Sequence, residues 1–152
     1  MGDAASCGDA ESGYGACEKA RRVMSENIFL NVSNHPSEAW SDAQRRAAEE
    51  LVGGIVRDLP GGFPSVPPDA DADEVLEIAR DLADRILAQV PTAVFLAGEF
   101  GVTMATTAIL LRRGVRVVTA TTRRQAVEVR EGDATVRRSE FRFVRWRDLR
   151  LP

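Results

Sequence analysis

Apolar positions along this chain alternate between short unbroken runs and runs spaced three or four residues apart, and that alternation predicts strands and helices in turn. Ile28-Phe29-Leu30-Asn31-Val32 is a short apolar run fit for a buried strand. Ser37 can cap a helix over 38–51 that carries Trp40, Ala43, Ala47 and Leu51 on one face, and Gly53-Gly54 ends it. Ile55 to Leu59 reads as a second strand. The following stretch, Pro60 to Pro68, is too rich in Pro and Gly for helix or central strand. Asp71 with Glu74 resembles a capping pair that opens a helix, in which Val75, Ile78, Leu82, Ile86 and Val90 recur at helical spacing before Pro91 stops it.

Val94-Phe95-Leu96-Ala97 then predicts a fully buried strand, 102–113 a helix closed by Gly114, and 115–120 a fourth strand. Residues 126–130 and 135–146, joined across Glu131-Gly132-Asp133, read as an antiparallel hairpin. The expected fold is α/β and Rossmann-like: a mostly parallel sheet with flanking helices, plus a C-terminal antiparallel β-hairpin. Ligands belong at the carboxyl ends of the strands of such a sheet.

A chain of 152 residues, 44% hydrophobic, suits one domain, because two would each bury too little apolar surface. That domain is expected over 24–152. Residues 1–23 are expected to be a disordered, dispensable extension, since they hold four Gly, five Ala and few large apolar groups. No apolar stretch reaches the roughly 20 residues a membrane helix needs, and no charged-then-apolar leader opens the chain, so a cytoplasmic protein is expected. Cys7 and Cys17 lie in this opening stretch over 1–23, which carries no periodic hydrophobic signal, and have no His at metal-ligand spacing, so neither a disulfide nor a metal site is expected.

The net charge of -3 divides unevenly, with 8 basic and 17 acidic residues over 1–90 against 12 basic and 6 acidic over 91–152. A basic second half admits an anionic ligand, while totals this modest argue against coating long nucleic acid.

Polar residues gather at three predicted strand ends. Asn31-Val32-Ser33-Asn34-His35-Pro36-Ser37 aims hydrogen-bonding groups above the sheet, although Asn, Ser and Pro are also ordinary turn and capping residues. Gly98-Glu99-Phe100-Gly101-Val102-Thr103 joins the most apolar strand to a helix. Its two glycines permit close backbone approach, and Glu99 suits a sugar hydroxyl, an adenine amine or the helix cap better than a phosphate. Thr119-Ala120-Thr121-Thr122-Arg123-Arg124 offers hydroxyls and guanidiniums to a phosphate, though Thr also suits strands and exposed Arg needs no ligand. Phe141-Arg142-Phe143-Val144-Arg145-Trp146-Arg147 interleaves aromatics with arginines as nucleic-acid platforms do, and the alternation of an amphipathic edge strand explains it equally. No catalytic triad can be assembled around the single His.

These segments, taken in order with Trp40-Ser41 and Gln44, resemble the small type III CRISPR accessory proteins of Rossmann-like fold that bind or cleave cyclic oligoadenylate, the ring nucleases. The resemblance covers about residues 24–149. It implies a homodimer that binds a cyclic oligoadenylate such as cyclic tetra-adenylate, without cofactor or metal. The cleavage it implies is attack of a ribose 2′-hydroxyl on its own phosphodiester. It further implies catalytic roles for Ser33, Asn34, His35 and Arg123. Ligand contacts would come from Ser37, Trp40, Gly98, Glu99, Phe100, Gly101, Thr103, Thr121, Thr122 and Arg124. Alternatives are a non-catalytic sponge or sensor, a mononucleotide-processing enzyme with Glu99 as nucleophile, and a partner-binding protein without ligand.

Overall fold

The computed structural model describes residues 26–152, so the expected extension over 1–23, with Cys7 and Cys17, lies outside the described residues. β1 (Ile28–Ser33) is buried along nearly its whole length. An unbroken apolar run requires this, since a strand covered on one face only would alternate. β2 (Ile55–Asp58) and β3 (Ala93–Ala97) pair with it in parallel on either side, and β4 (Val117–Glu131) pairs in parallel with β3. β5 (Ala134–Asp148) runs antiparallel to β4, giving one mixed sheet in the order β2-β1-β3-β4-β5.

Three helices cover the two faces. α2 (Ala72–Leu87) and α3 (Phe100–Arg112) bring Leu82, Ile86, Val102 and Leu110 onto Leu30, Val32, Val94 and Val117. On the other face α1 (Asp42–Val52) brings Ala48 and Val52 toward Phe29, Val118 and Trp146. Successive strand residues therefore serve opposite cores, as period-two geometry demands. The α1 face is largely aromatic. Trp146 lies 4.8 Å from Phe29, 5.3 Å from Trp40, 5.0 Å from Phe95 and 5.1 Å from Phe143 between ring centroids, and its indole N–H donates to the Gln44 carbonyl at 3.3 Å.

Four expectations need correction. α2 ends at Leu87, so Val90, expected on its apolar face, lies beyond the helix, exposed and with a left-handed φ. Ser37 does not cap the first helix: residues 37–39 form a single 3-10 turn, and Ser41 is the cap, its hydroxyl accepting from the Gln44 N–H at 3.2 Å. The cause is that Trp40 and Ser41 are extended, while the Ser37 N–H and hydroxyl are drawn elsewhere. The third helix starts two residues early, at Phe100, because Glu99 supplies its cap. Finally, the fourth strand does not stop at Ala120. It continues through Thr121-Thr122-Arg123-Arg124-Gln125 to Glu131, so the expected separate hairpin is the outer part of one fifteen-residue strand and its partner. Thr and Val favour this extended backbone, and β5 supplies hydrogen bonds along its length.

Candidate functional site

The carboxyl ends of β1, β2 and β3 open on one edge of the sheet, with helices on both faces and a reversal of strand order between β1 and β3. Asn31 anchors this edge from within. A polar side chain inside a buried strand must find partners or carry a desolvation cost of about 1–3 kcal/mol, and Asn31, almost fully buried, finds three. Its amide nitrogen donates to Asp58 Oδ1 at 2.7 Å and to the His35 carbonyl at 2.8 Å, and its Oδ1 accepts from the Ser33 hydroxyl at 2.8 Å. Ser33 Oγ in turn accepts from the His35 N–H at 3.2 Å, closing the turn.

Asp58, the last residue of β2, gathers the other side of the cluster. Its carboxylate accepts from the Ser37 N–H at 3.1 Å and the Ser37 hydroxyl at 3.2 Å, besides Asn31. Arg45 of α1 donates to the Ser37 carbonyl at 2.7 Å and ties the 3-10 turn to the helix. Four expected site residues, Ser33, Asn34, His35 and Ser37, thus fall together, but in different roles. Ser37, expected to contact ligand, is buried, and its hydroxyl donates to Asp58. Asn34 and His35 sit exposed at the tip, with side chains that make no hydrogen bond among the described residues.

The Gly98-Glu99 turn is also differently used. A Cβ at Gly98 would lie 2.4 Å from the Phe63 ring, so the glycine admits Phe63 from the Pro/Gly-rich loop. Arg85 fixes that loop by donating to the Pro60 and Gly62 carbonyls at 2.8 and 2.9 Å. A Cβ at Gly101 would likewise lie 3.2 Å from Val75 of α2. Glu99 places one carboxylate oxygen 2.9 Å from the Gly101 N–H and the other 2.8 Å from the Val102 N–H. These bonds hold its carboxyl below the ordinary glutamate range, and they fill the N-terminus of α3 with an anion the chain itself provides. Phe100 projects outward, and Thr103 Oγ1 is buried without a hydrogen-bond partner among the described residues.

The Thr121 to Arg124 segment is split by the pleat. Ala120 and Thr122 point to the α1 side, where they line a groove with Ser41 and Gln44, and Arg124 follows on that face. Thr121 and Arg123 face the other way, and the Thr121 hydroxyl donates to the Arg145 carbonyl at 3.1 Å. Trp40, expected at the ligand, is partly buried against the aromatic core, 6.0 Å from Phe29 and 5.9 Å from Phe95. Sequence reasoning missed Asp58 as a site residue. Its signal was an acidic residue closing a strand that runs beside a buried Asn.

Among the described residues no group of three or more His, Cys, Asp and Glu is placed to hold a metal ion, and no helix is long and apolar enough to cross a membrane. The class is an α/β protein with a mixed sheet and a hydrogen-bonded polar cluster at its parallel strand ends. The chain belongs to the uncharacterized protein MJ1673 family, whose model matches residues 27–147. No curated protein and no solved structure matches it.

Proposed function

We propose that this protein is a Rossmann-like, homodimeric ring nuclease of type III CRISPR defence that binds cyclic oligoadenylate in the cytoplasm and opens it without a metal. The observation that carries the reading is the Asn31-Ser33-His35-Asp58 cluster, hydrogen-bonded together at the edge where strand order reverses. Sheets of this kind bind ligands in that crevice. The hydrogen-bonded framework leaves Asn34 and His35 exposed, where ribose and phosphate would lie. Arg124, on the groove face, stands nearer the phosphate role than Arg123, which faces away.

In this reaction a ribose 2′-oxygen forms a bond to the adjacent phosphorus while the phosphorus–5′-oxygen bond breaks. The 2′-proton leaves, and the 5′-oxygen acquires one. Products are a 2′,3′-cyclic phosphate and a 5′-hydroxyl. Alignment and charge stabilisation supply most of the acceleration, with His35 as proton carrier. A second copy would sit on α3, which carries no charged side chain before Arg112 and leaves Phe100 80% and Met104 59% exposed one turn apart.

Sequestration without cleavage draws support from the same cluster, because Asn31, Ser33, Ser37 and Asp58 already satisfy one another. A mononucleotide enzyme using Glu99 as nucleophile fits less well, since both carboxylate oxygens cap α3. Incubation with cyclic tetra-adenylate in chelator, with products resolved by chromatography, separates the readings. Linear products that disappear in a His35→Ala, Asn34→Ala double variant support cleavage. Intact ligand recovered from a tight complex supports the sponge. Absence of binding to rings of any size rejects both.

A further inference from the structure

Packing explains only part of the Phe141 to Trp146 segment. Trp146 and Phe143 belong to the aromatic core, but Phe141, two residues further out on the same face, is 67% exposed. It pairs across the strands with Arg124, and Phe143 pairs with Thr122. Phe141, Phe143 and Thr122 form one wall of an open groove of about 530 Å³, and Ser41 and Gln44 at the start of α1 lie on the other. A second hollow continues along the same face, lined by Arg124, Ala126, Arg137 and Ser139. Arg124 is oriented there by two bonds from Nε and Nη2 to the Ser139 hydroxyl, at 3.0 and 2.9 Å. Neither Arg124 nor Arg137 forms an ion pair among the described residues, although Glu128 stands opposite Arg137.

An uncovered aromatic ring beside an oriented, unpaired guanidinium matches a ligand with a planar heteroaromatic ring and an anionic group one step away. We propose that this groove is a nucleotide subsite, in which a nucleobase stacks on Phe141 between the polar groups of Thr122 and Gln44, and the adjoining phosphate is held by Arg124. The subsite rests on the reading of the sheet edge as a nucleotide site and extends it onto the β4–β5 ribbon.

The test titrates the full chain calorimetrically with cyclic tetra-adenylate and, separately, with 5′-AMP, using Phe141→Ala, Phe141→Trp and Arg124→Ala. Phe141 and Arg124 are exposed, so all three variants should melt close to the parent. The expected result is affinity for the ring lowered about 5- to 100-fold in Phe141→Ala, as loss of one base stack implies, and kept within about threefold in Phe141→Trp. Arg124→Ala should weaken binding and make it less salt-dependent. If the parent binds the ring and Phe141→Ala binds it equally well, the subsite is overturned while the sheet-edge reading stands. If the ring does not bind but 5′-AMP binds and is lost in Phe141→Ala, the subsite stands and the cyclic oligoadenylate reading is overturned. If no nucleotide binds, both are overturned.

Discussion

Asn31 and Asp58 meet at 2.7 Å across the ends of two parallel strands, and most other bonds of the polar cluster involve one of the two. Asn31 reaches the Ser33-His35 turn and Asp58 reaches Ser37, so the shape of the candidate site depends on one carboxylate. Asp58→Ala removes the acceptor for three donors and should lower stability by about 1–3 kcal/mol. Asp58→Asn, which keeps an acceptor oxygen, should lose less. Denaturant titration of the two variants checks the order, and equal losses would show that the carboxylate charge, not its acceptor geometry, matters.

Thr103 presents the opposite case, a buried hydroxyl with no partner among the described residues. Thr103→Val keeps the volume and removes the unsatisfied group, so the ligand-free protein should gain about 1 kcal/mol of stability. The midpoint of chemical denaturation measures this. A fall instead would mean that the hydroxyl has a partner in solution. If Thr103 also contacts ligand, the same variant gains stability and loses affinity together.

Glu99 links the cap of α3 to pH. Its carboxyl is held below the ordinary range by the Val102 and Gly101 N–H groups. Its contribution is therefore present above the unfolded glutamate value of about 4.3 and is lost as pH falls from there through the lower folded value. Asp148 behaves in the same sense through its bond to Arg116, with Arg116 Nε 2.7 Å from Asp148 Oδ1. Melting temperature should decline on acidification through this window, and Glu99→Gln should flatten the decline. An unchanged slope in Glu99→Gln would place the acid sensitivity elsewhere.

Val90 adopts a left-handed φ of 50° between the end of α2 and Pro91, a conformation that costs a β-branched residue about 1–2 kcal/mol. It is also 78% exposed, so little packing depends on its side chain. Val90→Asn should raise stability by about 1 kcal/mol. Val90→Gly should gain less, because the unfolded chain becomes more flexible. Thermal melts of the two variants test both the sign and the order.

Much of the α/β alternation was legible because each element carries its own local signal: unbroken apolar runs in β1 and β3, and the Asp71-Glu74 capping box at the start of α2. What escaped reading depends on partners distant in sequence. Ser37 has the chemistry of a helix cap, and only Asp58, twenty-one residues on, diverts it. Gly98 permits close approach, and only the structure reveals that the Phe63 ring makes one there. Thr121 to Arg124 reads as a strand end because its polar run interrupts the apolar pattern. Its continuation into a ribbon depends on pairing with 141–145. The Ser33-Asn34-His35 turn was legible as a polar cluster, since strand and helix signals bracket it closely.

The irregularity between Thr121 and Thr122 leaves Val144 as an extra residue on β5, with Arg145 opposite Thr121 and Phe143 opposite Thr122. Strict alternation would have put Trp146 and Phe143 on opposite sides of the ribbon, whereas they share the α1 side with Phe141. The aromatic surface therefore passes from the core to the open groove across a break in parity. In an alignment of family members this position should behave as a one-residue gap, and a relative without it would space its aromatics evenly as Phe-x-Phe-x-Trp while presenting the same surface.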